Sequence, residues 1–248
     1  MGLLGRLLQQ QLLLGPIILA AAASEPTNSS CIRTCGSLQI PYPFGTTEGC
    51  YLNPSFLITR NESTPFLSPS NLTILNISLD SHELEVSTPI ALECINATAS
   101  NHSYSNLDPG PIDIVLNFPL SDTKNKLTAL GCDTFGTINS TKAHMNYTIG
   151  CLSFCQSIDS VANGSCTGIG CCQTSIPKQM TSFIVVTGNI NDHKAVDNFN
   201  PCSFGLVVEE KGFNFSSLDL RNLQDTESVL VVLDFSVGNE TCLMLRKF

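Results

Sequence analysis

Tryptophan is absent from the 248 residues, and basic residues are scarce: 12 Lys and Arg stand against 21 Asp and Glu, a formal charge of −9. Without an indole the chain lacks the largest aromatic platform for stacking a ring. The shortage of cations excludes a general binder of nucleic acid or of anionic membranes, since both require a basic surface. There is no Cys-x-x-Cys pair, and none of the four histidines (His82, His102, His144, His193) stands at ligand spacing, so no metal site is expected. No histidine has a recognisable nucleophile partner in the sequence. Gly168-x-Gly170 lacks the third glycine of a phosphate loop and runs into Cys171-Cys172, so it reads as a turn between bridges. The carboxylate pairs Glu83/Glu85 and Glu209/Glu210 read as solvated positions. No enzyme and no cofactor are expected. Beyond the N-terminus no apolar run is long enough to span a bilayer. The best, residues 229–237, is interrupted by Asp234 and has about half the length needed. The six residues after Cys242 are too few for a lipid-anchor signal, so a released chain is expected.

What the sequence does contain points to an oxidising, extracellular compartment. Residues 1–23 carry Arg6, then an apolar stretch over 12–20, then Ala21 to Ala23, the layout of a cleavable signal peptide ending after Ala23. Residues 24–30 form a polar lead-in. Eleven Asn-x-Ser/Thr sequons follow, at Asn28, Asn61, Asn71, Asn76, Asn96, Asn101, Asn139, Asn146, Asn163, Asn214 and Asn239. Each site that carries a glycan must lie at the surface. Twelve cysteines, Cys31, Cys35, Cys50, Cys94, Cys132, Cys151, Cys155, Cys166, Cys171, Cys172, Cys202 and Cys242, read as a disulfide framework. Their spacing does not fix the connectivity.

The patterning is mainly β, with little helix, in one or two small disulfide-rich modules. Leu72, Ile74, Ile77 and Leu79 alternate with polar neighbours, with a slip at Leu75 that predicts a bulge. Further strands are predicted around Leu84 to Val86, Ile90 to Cys94 and Lys126 to Cys132, and over residues 183–187, 204–208 and 229–233. Residues 96–111, rich in Asn, Ser, Pro and Gly, read as a glycosylated loop. Residues 150–173 show little periodicity and are expected to be held by bridges. Ser216 and Asp219 stand at capping-box distance, which predicts a short helix over 218–223. The boundaries drawn are 31–133 and 134–242, followed by a tail over 243–248.

One segment gathers groups suited to sugar: Arg33, Tyr42, Phe44, Tyr51 and Asn53, punctuated by Pro41, Pro43, Gly45 and Gly49. Aromatic faces stack on sugar rings, Arg forks a carboxylate, and an Asn amide bridges hydroxyls. The alternative is that Tyr42, Phe44 and Tyr51 fill a small core beneath Cys35 and Cys50. Composition favours that alternative.

The same segment carries a resemblance. Cys31-Ile-Arg-Thr-Cys35-Gly36, Ile40-Pro-Tyr-Pro-Phe-Gly45, Gly49-Cys50-Tyr51-Leu-Asn53-Pro54 and Phe56-x-Ile58 are similar to the start of the extracellular region of plant wall-associated receptor kinases. Gly131-Cys-Asp-Thr134, Gly150-Cys-x-Ser-x-Cys155, Gly168-x-Gly-Cys-Cys-Gln173 and Phe199-Asn-Pro-Cys202-Ser-Phe agree in order, as does the run from Val232 to Cys242. The resemblance implies a non-catalytic module that binds galacturonan, the acidic polymer of pectin, in the cell wall. It names Arg33, Tyr42, Phe44, Tyr51 and Asn53 as candidate contacts. The EGF-like modules, membrane span and kinase of that family are not expected in this chain. Because ligand and protein are both acidic, attraction requires a local basic patch or Ca²⁺ bridging carboxylates on both sides. The second class of function is a glycoprotein that binds a protein partner, such as a membrane receptor of which it is a decoy. Arg60 stands where the family usually has a cysteine. The expectation drawn from it is that Cys94 has lost its partner and that Cys242 is unpaired as well.

Overall fold

The computed structural model describes residues 30–96, 103–104, 110–142, 145–223 and 226–237. The segment 1–23 read as a signal peptide, the tail 243–248, Cys242 and the sequons Asn28, Asn101 and Asn239 lie outside the described residues, as do all but Ser30 of the lead-in and most of the loop read over 96–111.

The described chain is mainly β. A small hairpin of β1 (Thr34–Cys35) and β2 (Leu38–Gln39) opens it. There follow β3 (Ile58–Asn61), β4 (Thr64–Leu67), β5 (Leu72–Ser78), β6 (Glu83–Pro89), β7 (Ala91–Asn96) and β8 (Ser103–Tyr104). Next come β9 (Ile112–Val115), β10 (Asn125–Gly131), β11 (Thr134–Lys142) and β12 (Met145–Ser153). The last are β13 (Gly170–Ser175), β14 (Ser182–Asn189), β15 (Cys202–Glu209) and β16 (Ser228–Asp234). One short helix, α1 (Asp219–Asn222), precedes β16.

The larger sheets are antiparallel, in the orders β16-β6-β5-β4-β3, β13-β10-β15-β7-β8 and β12-β11-β14-β9. Strands from both sides of residue 133 share them: β16 runs along β6, and β15 lies between β10 and β7. The boundary drawn at 133 therefore separates no sheet from another.

The patterns explain the placements. In β6, Leu84, Val86 and Thr88 are buried while Glu83, Glu85 and Ser87 are partly exposed, the period of two of a strand with one covered face. In β15 every residue before Glu209 is buried, as a central strand covered on both faces requires. The slip at Leu75 is a bulge: the β5–β6 register shifts between Ile74 and Asn76, and Leu75 is exposed. Two apolar clusters result. The larger joins Phe44, Phe56, Ile58 and Leu67 to Leu84, Leu127, Phe183, Val231 and Leu233. The second joins Ile90, Leu130, Phe204, Leu206, Phe215 and Leu220.

Five disulfides are formed: Cys31–Cys50, Cys94–Cys202, Cys132–Cys155, Cys151–Cys172 and Cys166–Cys171. The expectation of an unpaired Cys94 is corrected. Cys94 in β7 and Cys202 in β15 are direct cross-strand partners, so the sheet register itself brings them together. The cysteine left without a bridge among the described residues is Cys35, counted beforehand among the bridged ones, which is buried at 5% exposure. Its neighbour Gly36 has a positive φ and packs against the carbonyl of Ser63, in the hairpin that carries Arg60.

Of the described sequons, Asn61, Asn71, Asn76, Asn163 and Asn214 are exposed and Asn139 is half-buried. The side chains of Asn96 and Asn146 lie outside the description.

Candidate functional site

The segment 31–56 is organised from its bridge outward. Cys31–Cys50 closes the loop, and Ile40 N–H donates to the Arg33 carbonyl at 2.8 Å. Gly45 is pressed against Cys50, where any Cβ would collide with the Cys50 carbonyl, so only glycine fits. Gly45 N–H donates to the Phe56 carbonyl, and Ile58 N–H donates to the Gly45 carbonyl at 2.9 Å. These bonds set the loop against the five-stranded sheet that ends in β3.

The five sequence candidates separate. Phe44 is fully buried at 0% exposure, ringed by Phe56, Phe118 and Phe235 at centroid distances of 5.1, 6.0 and 5.1 Å. It belongs to the core, out of reach from the surface. Tyr42, Tyr51 and Arg33 are half-buried, and Tyr51 packs on the larger cluster. Asn53 is exposed; its Oδ1 accepts from Ser55 N–H at 2.9 Å and caps the single-turn 3-10 helix Pro54–Phe56.

Asn53 is also the candidate that lines a cleft of about 380 Å³. Four segments meet there. The 3-10 turn supplies Asn53, Ser55 and Phe56, the stretch after β9 supplies Asn117 and Phe118, and the turn before β14 supplies Gln179. The end of β16 supplies Asp234 and Phe235. Backbone bonds hold the segments together: Leu120 N–H donates to Met180, Asp234 N–H to Pro119 and Phe235 N–H to His82. Asn117 Nδ2 donates to the carbonyls of Ser68 at 2.6 Å and Ser55 at 3.4 Å, which fixes its amide. Burial pushes the Asp234 carboxyl above the usual carboxylate range. The Ser121 hydrogen bond opposes that shift, Glu83 and Asp122 add to it, and Lys124 opposes it. Asn117, Gln179 and Asp234 are far from Asn53 in sequence, so no local motif could have announced them.

A second cleft of about 320 Å³ lies over Cys132–Cys155 and includes Asp133 and Asn191. Asp133 is already committed: its carboxylate accepts from Asn191 N–H, Asn191 Nδ2 and His193 N–H at 2.9–3.0 Å. Beside it His193 Nε2 lies 3.1 Å from Ser203 Oγ, which in turn lies 2.8 Å from Thr134 Oγ1. Ten residues separate His193 from Ser203 in the chain, and no motif announces this pairing. It resembles a base and nucleophile, yet His193, Ser203 and Thr134 are all at 0% exposure, beyond the reach of a substrate. Among the described residues no cluster of three or more His, Cys, Asp or Glu is placed to hold a metal ion, and no helix is long and apolar enough to cross a membrane.

Cations are few, and several are engaged. Lys124 pairs with Glu83 at 3.1 Å, Lys194 with Asp192 at 2.9 Å, and Arg221 donates to the carbonyls of Asn198 and Phe199. No Lys or Arg lines the cleft beside Asn53.

Comparison with known proteins gives a family match for residues 31–88, described as wall-associated receptor kinase galacturonan-binding. The chain is 34% identical over 215 residues to wall-associated receptor kinase 2 of Arabidopsis thaliana, 36% over 220 residues to wall-associated receptor kinase 5, and 35% over 222 residues to wall-associated receptor kinase 1. Each match covers 86% of this chain and 28% of the relative, so the chain spans well under a third of the length of these relatives. No solved structure matches.

Proposed function

We propose that this chain, a relative of the wall-associated receptor kinases that corresponds to part of their extracellular region, binds galacturonan of the plant cell wall. The observation that carries the reading is the galacturonan-binding match over residues 31–88, the segment that holds the bridged loop and Asn53. The kinase activity named in the relatives is theirs and is not assigned to this chain.

On this reading the bridged loop presents half-buried Arg33 and Tyr51 to the polymer, with Asn53 at the edge of the adjoining cleft. Arg33 forms no ion pair with a described residue, which leaves its guanidinium available for a carboxylate. A contact of this kind weakens as salt rises. Secretion through residues 1–23 and glycosylation at the exposed sequons belong to the same proposal. So does Ca²⁺ bridging between protein and pectate carboxylates, which a chelator would abolish. The test is a glycan array with the full secreted chain at two salt concentrations, with and without chelator. Galacturonans are expected to exceed neutral glucans, with Arg33→Ala weakening the signal. An array without that preference overturns the reading.

A second reading, a protein partner, is favoured by a separate observation. Leu152, Phe154, Ile158, Ile169 and Leu218 are large apolar side chains exposed by 39–67%, and Ile158 and Leu218 line one shallow depression. Retained binding to a receptor ectodomain after loss of all glycan binding would support it.

A further inference from the structure

The outward face of the hairpin β3–β4 sets a sequon beside an aromatic ring, and from this we infer that an N-glycan on Asn61 lays its first sugar, N-acetylglucosamine, on the ring of Phe66. The inference rests on the glycosylation included in the proposed function and adds the side chain that receives one of those glycans.

Register brings the two groups together. Thr59 pairs with Phe66 and Asn61 with Thr64, while Ile58 pairs with Leu67 and Arg60 with Pro65. Ile58, Pro65 and Leu67 are buried, so alternation turns Thr59, Asn61, Thr64 and Phe66 to the other, outward face. Asn61 and Phe66 are then diagonal neighbours, a separation of roughly 7–8 Å. That gap is too wide for an asparagine amide to cover the ring, and it suits an asparagine lengthened by a pyranose. The turn that joins the strands is tight: only Glu62 and Ser63 lie between Asn61 and Thr64, and Glu62 has a φ of 53°. Ser63, the hydroxyl residue of the sequon, sits in that turn.

The chemistry of the face suits a sugar. Phe66 is half-buried, and Thr73 of β5 stands opposite it on the side away from Thr59. Thr59, Thr64 and Thr73 thus surround the ring with hydroxyls, and Thr59 Oγ1 donates to the Phe66 carbonyl at 3.4 Å. The C–H bonds of a pyranose rest on the electron-rich face of an aromatic ring. Its hydroxyls meet threonines, which both donate and accept. The sequons Asn76 and Asn139, also on strands, have no such ring opposite them: Asn76 pairs with Glu85, and Asn139 pairs with Thr148 and Ile184.

Position gives the contact a use. β3 is an edge of the five-stranded sheet, and an edge strand recruits other chains unless something covers it. No cysteine lies in β3 or β4, so no disulfide clamps this hairpin. A glycan carried by β3 and seated on β4 clamps the two strands and covers the edge.

The experiment uses the full chain secreted from a glycosylating host. Peptide mass spectrometry reads the occupancy of each sequon, and Asn61 is expected to be occupied. Thermal unfolding then compares the wild type, Asn61→Gln, Phe66→Thr and the double variant. Asn61→Gln should lower Tm by about 2–4 °C on its own and leave it nearly unchanged beside Phe66→Thr. Phe66→Leu, which keeps apolar volume and loses the aromatic face, repeats the comparison should Phe66→Thr fail to fold. Trimming with an endoglycosidase that leaves one N-acetylglucosamine should preserve Tm. Proton NMR of that trimmed form should show a sugar proton shifted upfield by the ring, a shift that Phe66→Leu abolishes. An unoccupied Asn61 overturns the inference and leaves glycosylation at the other sequons standing. No Tm loss from Asn61→Gln, an equal loss in both backgrounds, or a sugar resonance that Phe66→Leu leaves in place overturns it as well. A chain with no glycan at any sequon removes the glycosylation reading and this inference together, and none of these outcomes bears on galacturonan binding.

Discussion

Cys35 shows how a single residue can reverse an inference drawn from a family resemblance. It is buried, small and apolar in its surroundings, and its thiol has no bridge among the described residues. Cys94, the cysteine first read as orphaned, sits opposite Cys202 and is closed. Thiol labelling under denaturing, non-reducing conditions with peptide mapping should therefore modify Cys35 and leave Cys94 and Cys202 unlabelled. A label on Cys94 would contradict the cross-strand bridge. Arg60→Cys, by the same geometry, leaves Cys94 unchanged. In the native protein Cys35 should label slowly, because burial keeps the reagent from its sulfur.

At the scale of elements, Asn125 at the start of β10 does what no apolar side chain could. Fully buried, it donates through Nδ2 to the carbonyls of Ser121 at 2.8 Å and Val232 at 2.7 Å, and its Oδ1 accepts from Val232 N–H at 2.9 Å. It thereby stitches β10 to β16, strands of different sheets more than a hundred residues apart. Asn125→Ala would leave the buried Val232 N–H unmet, while the Val232 carbonyl keeps its bond from Ser121 N–H, for a cost of about 1–3 kcal/mol. Urea unfolding followed by circular dichroism should show the midpoint falling with little change in slope. A loss under about 0.5 kcal/mol would mean that the stitch is dispensable. A different economy operates between β10 and β11. A Cβ on Gly136 would lie 2.7 Å from the Ala129 Cβ, so the glycine permits the close approach of the two strands. The short helix obeys its capping signal in modified form: Asp219 Oδ2 accepts from Ser216 N–H at 2.7 Å, while Ser216 Oγ accepts from Leu218 N–H at 3.2 Å.

For the whole molecule, pH is the variable with a stated sign. Burial lowers the pKa of His193 from its ordinary 6.5, against the opposing pull of Asp133, Asp192 and Asp197. Below pH 6.5 the unfolded chain takes up this proton while the folded one does not, so stability declines as pH falls from 6.5 toward the folded-state pKa. The slope from this one group cannot exceed about 1.4 kcal/mol per pH unit. Asp234 acts in the other direction at lower pH: its pKa is raised from 3.8, so the folded state takes up that proton first and regains some stability. Thermal unfolding between pH 7 and pH 5 should show Tm falling in the wild type. The fall should flatten in His193→Asn, a residue suited to the left-handed backbone there, where φ is 51°. An unchanged slope in the variant would remove His193 from the account.

The β character, the Leu75 bulge, the strands of Val, Phe and Ile and the short helix were legible in the residues alone, because each depends on local periodicity or capping. It also carried the resemblance, because cysteine-anchored blocks keep their order whatever the fold does between them. It did not disclose β11 and β12, whose Thr, Asn and Ser alternate too weakly to register as strands. Nor could it pair the cysteines, since Cys94 and Cys202 meet only through the register of β7 on β15. Asn53 was legible as a candidate, and Phe44 was open to two readings until packing placed it in the core. The cleft belongs to tertiary structure alone. Its amides and its carboxylate come from four segments spread over some 180 residues, and only the closing of the sheets sets them around one volume.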